Sequence, residues 1–179
     1  MHPGAAATVG SARISVSELN AAVVRDTSTS TGQLTGSTRG AAVQSSLATL
    51  IDNELLNDAA KAKGVTVSET DIQSVLANQR QTNGTDEGTA KANGIPLAQL
   101  HQVAHQAVLI DKLEVAVGKG STDRTVLGQL LSVYLVSIAK DEGVSVSPRY
   151  GVWQASKLTV VDGDAFTSVQ SPAASSPAG

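Results

Sequence analysis

The sequence predicts a mainly α-helical domain of about five to six helices, closed by a small sheet that pairs a strand near the N-terminus with one near the C-terminus. Two observations carry this. Apolar residues recur at i, i+3 and i+4 through most of residues 41–141. Short β-type segments stand only near the two ends, at 8–16 and 144–153. Two lone strands would leave backbone donors and acceptors unmatched, so the simple solution is that they pair with each other.

The N-terminal segment Thr8-Val9-Gly10-Ser11-Ala12-Arg13-Ile14-Ser15-Val16 reads as two extended pieces around a Gly-Ser turn. Ser15 and Glu18 then form an S-x-x-E capping box that starts a helix near Glu18 and runs to about Asp26. Residues 27–40 are rich in Thr, Ser and Gly and read as a loop. The clearest helix is 41–63, with Val43, Leu47, Leu50, Ile51, Leu55 and Ala59 on one face. Lys61 and Lys63 suit its C-terminal dipole, and Gly64 can take the left-handed position that follows it.

A second box, Ser68 with Asp71, starts a helix carrying Ile72, Val75 and Leu76 that stops at Asn83-Gly84. Residues 84–94 are polar, with room for a helical turn closed by Gly94. Pro96 opens a long helix to about Val117, with Leu100, Val103, Ala107, Ile110 and Leu113 as its stripe. Gly118-Lys119-Gly120 breaks it, and Thr122 or Asp123 caps a helix to about Asp141. That helix is apolar nearly all round, which predicts cover on several sides. Val144 to Ser147 alternates as a strand, Pro148 confines it to an edge or strand end, and Tyr150 to Trp153 continues extended.

Composition excludes several classes of function. The 179 residues suit one domain, and a hydrophobic fraction of 41% suits a globular one. A net charge of -3 argues against nucleic acid, which needs a basic face. No apolar run approaches the roughly 20 residues of a membrane span. Aromatic residues are 2%, so the core is built from Leu, Val, Ile and Ala. The absence of cysteine removes disulfides, thiol nucleophiles and cysteine metal sites. Residues 1–7 read as a flexible leader without signal-peptide character, 8–161 as the helical domain, and 162–179 as a disordered Ser/Ala/Pro tail.

Four segments together resemble the N-terminal domain of SurA-type and PrsA-type extracytoplasmic foldases, in the SurA N-domain/trigger-factor C-domain superfamily. They are the opening Val9 to Leu19; the helix Leu50-Ile51 to Gly64-Val65 with Val67-Ser68; Gly94-Ile95-Pro96-Leu97 with Leu100 and Leu109-Ile110-Asp111-Lys112-Leu113; and the closing Val146-Ser147-Pro148-Arg149-Tyr150-Gly151-Val152-Trp153. The match spans about 8–161, and the closing motif is its most specific part. The resemblance, together with Ala, Val and Thr enrichment, implies a free-standing actinobacterial lipoprotein outside the cytoplasm, with the lipid-bearing cysteine upstream of His2. Many such proteins carry a parvulin prolyl-isomerase domain. Nothing after about 161 supplies one here, so isomerase activity is not implied.

No constellation of catalytic residues stands out. His101 and His105 have i, i+4 spacing, but they fall opposite the apolar stripe and lack the glutamate of an H-E-x-x-H motif, so they read as a solvated face. Asp52, Glu54 and Asp58 read as exposed charges on an amphipathic helix. Gly118-Lys119-Gly120-Ser121-Thr122 fails the spacing of a phosphate loop. No enzyme, cofactor or metal is therefore expected. Arg149, Tyr150 and Trp153 have two readings: anchors of the terminal strand, or the lining of a peptide groove. With Tyr134, Leu131 and Leu109 they make up the candidate peptide-binding surface. The function expected is a holdase-type chaperone for unfolded or nascent exported polypeptides, touching the membrane only through a lipid anchor. The alternative is an assembly module that binds one partner or forms a homodimer by segment exchange.

Overall fold

The computed structural model describes residues 4–27 and 36–163. Strand β1 (Ala5–Val9) turns at Gly10-Ser11 into β2 (Ala12–Ser15), and α1 (Val16–Thr27) follows directly. The Ser15 box starts it as the sequence predicts: Glu18 N–H donates to Ser15 Oγ at 3.1 Å, and Ser15 N–H donates to the Glu18 carboxylate at 2.7 Å. Those bonds hold the Glu18 carboxyl below its usual range.

Helix α2 (Gly36–Lys63) is longer than expected, because Gly36 to Gly40 is helical rather than loop. Extending an existing helix needs no new nucleus, so weak formers are tolerated at its end. The rest of the expected loop, 28–35, lies outside the described residues. Gly64 follows α2 with φ of 64°, and Val65 N–H donates back to Ala60 O at 2.9 Å, closing the helix end.

Helices α3 (Glu69–Asn83) and α4 (Asp86–Ala92) come next, then a short 3-10 turn and α5 (Leu100–Val117). The Ser68–Asp71 box is formed in both directions. Asp71 also accepts a bond of 2.6 Å from Lys112 Nζ, which ties α3 to α5 and holds the Asp71 carboxyl far below its usual range. Ile72, Leu76, Leu100 and Ala104 form a small satellite core between these two helices. Arg80 clasps Asp86 with two bonds, of 2.6 and 3.0 Å, across the α3–α4 turn.

Helix α6 (Arg124–Glu142) is capped by Asp123, whose carboxylate accepts from Thr125 N–H at 2.8 Å. Strand β3 (Val144–Val146) then pairs antiparallel with β1, Ala7 opposite Val146 and Val9 opposite Val144. The sheet order is β2-β1-β3, so the predicted closure of the two chain ends is the one observed. After a 3-10 turn at Pro148–Tyr150, β4 (Val152–Gln154) and β5 (Thr159–Val161) form a hairpin of their own.

The main core gathers around α2, whose Leu47, Ile51, Leu55 and Ala59 are fully buried. Ser46 is buried beside them and donates to Asp26 at 2.6 Å, fastening α1 to α2.

Four further expectations are corrected. The leader does not reach residue 7: Ala5 to Ala7 belong to β1, and Ala6 and Ala7 are buried. The α5 stripe is Leu100, Ala104, Val108, Leu109, Leu113 and Val117, with Val103 and Ala107 exposed. The helix carries apolar residues on more than one face, and its neighbours choose which is buried. Among the described residues helix α6 buries one face, through its Leu127, Leu131, Leu135 and Ala139, while Val133 is 69% exposed; α2 holds the centre instead. Tyr150 ends a 3-10 turn rather than continuing a strand, because Pro148 opens a turn closed by Tyr150 N–H to Ser147 O at 2.9 Å. The expected tail lies outside the described residues from 164 onward; Asp162 accepts a bond of 2.6 Å from Gln44.

Candidate functional site

The sequence-predicted surface residues do not meet in one groove. Arg149 and Tyr150 share a cleft of about 390 Å³ with Arg39, Val43 and Gln44 at the start of α2. The Arg149 guanidinium lies 5.4 Å from the centre of the Tyr150 ring. Trp153 packs against the main core, and its indole Nε1 is buried with no hydrogen-bond partner among the described residues. Tyr134 is half-buried under Lys63, whose Nζ stands 4.6 Å from the ring centre. Leu109 and Leu131 are core residues, 6% exposed each, and they edge two different clefts on either side of the α2–α5 seam.

The cleft beside Leu109 is polar. It has a volume of about 340 Å³ and takes Arg13 and Glu18 from the N-terminal end, Asn57 from α2 and His105 from α5. His101, one turn before His105, pairs with Glu69 at 3.0 Å. Among the described residues no three His, Asp or Glu side chains converge as a metal site would require.

The cleft beside Leu131 is different in kind. It has a volume of about 400 Å³, within the range of small-ligand pockets, roughly 300–1,000 Å³. Three helices supply its walls by helical spacing. Helix α2 gives Thr49, Asp52, Asn53 and Leu56; α5 gives Gln106, Ile110 and Glu114; α6 gives Gly128, Leu131, Ser132 and Leu135. Leu158, in the turn of the β4–β5 hairpin, closes the end. Its backbone is left-handed at φ 48°, an uncommon state for leucine. Gln106 Nε2 donates to Asn53 Oδ1 at the seam shared by the two clefts.

Five aliphatic side chains thus line the cleft together with two carboxylates, Asp52 and Glu114. The charge pattern predicts an exposed Asp52, and the structure corrects this. Asp52 is half-buried, and its Oδ1 is sealed from solvent without a hydrogen-bond partner among the described residues. Burial pushes its carboxyl up to about 7. The second carboxylate on the wall, Glu114, has a side chain only 14% exposed and stands 3.7 Å from Arg124.

A carboxyl held above its ordinary pKa carries a stability cost once the pH passes that ordinary value. The folded value of about 7 lies above the ordinary 3.8, so the folded state holds its proton while the unfolded state has released it. Below about pH 4 there is no penalty. Stability falls as pH rises from about 4 to about 7, and the full penalty persists above that. The Asp52→Asn variant is expected to lack this fall. Between pH 4 and pH 8 the wild type should lose about 2 kcal/mol relative to the variant, after allowing for screening of a larger bare figure. Chemical denaturation across pH checks it, and parallel profiles for the two proteins would refute it.

Compared with known proteins, the chain matches no family model, no curated protein and no solved structure.

Proposed function

We propose that this chain is a holdase-type chaperone module that binds extended or unfolded segments of exported polypeptides, without catalysing prolyl isomerisation. The observation that carries the reading is the open cleft between α2, α5 and α6, where Leu56, Ile110, Leu131, Leu135 and Leu158 line a space of about 400 Å³. Open apolar concavities of this size are where soluble proteins take ligands. Polar rims of Asn53, Gln106 and Ser132 can hydrogen-bond a peptide backbone, which every sequence presents alike. Weak burial plus backbone contacts suits release without a nucleotide. The resemblance of the opening and closing motifs to SurA-type domains supports an extracytoplasmic, lipid-anchored setting for this activity.

The test is suppression of aggregation of a chemically denatured client. At several-fold molar excess the wild-type protein is expected to lower the light scattering of the aggregating client. No effect at that excess, with a defined dimer or a single tight partner instead, would favour the assembly-module reading.

A further inference from the structure

The α2–α5–α6 cleft has an electrostatic character that a general apolar groove lacks. Its lining includes two carboxylates, Asp52 and Glu114, and, among the described residues, no cationic side chain. Glu114 has Arg124 beside it at the rim, but Asp52 has no ionic partner among the described residues. Of the charged groups around the cleft, Asp52 comes from α2, Glu114 from α5 and Arg124 from α6. Lys157, next to Leu158 in the hairpin turn, is exposed. A carboxylate held among leucines without a partner is costly, and a cation brought by a ligand offsets that cost.

We propose that this cleft selects extended segments in which a lysine or arginine is flanked by aliphatic residues, the cation pairing with Asp52 while its neighbours pack on Leu131, Leu135 and Leu158. The inference rests on the holdase reading and adds a preference to it. It also makes recognition depend on pH. A bound cation favours ionised Asp52, so affinity is greatest above the carboxyl's own value of about 7 and falls as protonation removes the negative charge.

Fluorescence anisotropy with three labelled short peptides tests this. All are Leu/Val/Ala-rich, with a central lysine, an Nε-acetyl-lysine or a glutamate. At about pH 8 the lysine peptide is expected to bind about tenfold tighter than the acetylated one, the ratio that one charge-assisted hydrogen bond supports. The ratio should shrink towards one by about pH 6. Asp52→Asn should abolish the ratio and its pH dependence, so that lysine and acetyl-lysine peptides bind alike from about pH 6 to about pH 8. Gly128→Leu should block every peptide; a Cβ there meets only Glu114 Oε1, at 3.7 Å, so the helix accepts a side chain that extends into the cleft. Equal binding of lysine and acetyl-lysine peptides by the wild type would overturn the cation preference and leave the holdase reading standing. Failure of all three peptides, together with failure to suppress aggregation, would overturn both.

Discussion

Leu55→Ala is expected to destabilise the protein by about 3–4 kcal/mol, within the range of about 2–5 kcal/mol for a buried leucine cut back to alanine. Leu55 is fully buried in the middle of α2, the helix that touches α1, α5, α6, β1 and β5. Removing its isobutyl group loses transfer free energy and leaves a cavity that the close-packed surroundings fill only in part. A domain of this size is typically stable by about 5–15 kcal/mol, so the change takes a large share of the total. In thermal unfolding it should lower the midpoint by roughly 10 °C. Val133→Ala, on a residue 69% exposed, serves as the control and should change stability by less than about 0.5 kcal/mol. A small shift for Leu55→Ala, equal to that of Val133→Ala, would mean that α2 does not hold the centre of the core.

Gly151→Ala is expected to cost about 3 kcal/mol, through backbone rather than core. Gly151 has φ of 121° and ψ of -159°, a region that essentially only glycine occupies. An added Cβ would stand 2.3 Å from the carbonyl oxygen of Val161 and 3.0 Å from Val160 Cγ1. The obstacle is the backbone of β5, so relief requires β4 and β5 to part. The hairpin would then lose the register that sets Val152 opposite Val161. Gly64→Ala provides the comparison: it too has positive φ, at 64°, but no atom lies within 4 Å of a Cβ there. That variant should lose only about 1–2 kcal/mol, the strain of a left-handed alanine alone. Equal losses at the two sites would show that the contact with β5 contributes nothing. Because Leu158 sits in the same hairpin and closes the α2–α5–α6 cleft, Gly151→Ala should also weaken peptide binding.

Much of this architecture is legible residue by residue. Ser15 with Glu18 and Ser68 with Asp71 announce helix starts and make the bonds their spacing predicts; of the two caps offered before α6, Thr122 and Asp123, it is Asp123 that makes the bonds. Gly64 and Gly94 announce ends, with Val65 and Ile95 N–H groups bonding back to Ala60 and Ala90. The pairing of the terminal strands follows from the need to satisfy two short lone segments. The candidate site was less legible. The apolar stripe of α6 points to Leu131, which does line the cleft, whereas the charge pattern of α2 makes Asp52 look like surface charge. The signal available was position: Asp52 follows Ile51 and precedes Leu55 by three, at the border of the apolar face. A border position becomes half-buried or solvated according to what packs against it, and here α5, α6 and Leu158 arrive from 54 to 106 residues further along the chain.

The sequence by itself determined where most helices start and stop and that the two ends of the chain close on each other. Those features depend on hydrogen bonds between near neighbours and on the count of unmatched backbone groups, both readable from spacing. Only the tertiary structure decided which face α5 buries, that α6 is covered on one side, that a second hairpin follows Gly151, and that Asp52 lies in a leucine-lined cleft without a partner. Burial depth and desolvation are set by elements distant in the chain, and a helical periodicity gives the bearing of a side chain but not what stands in front of it.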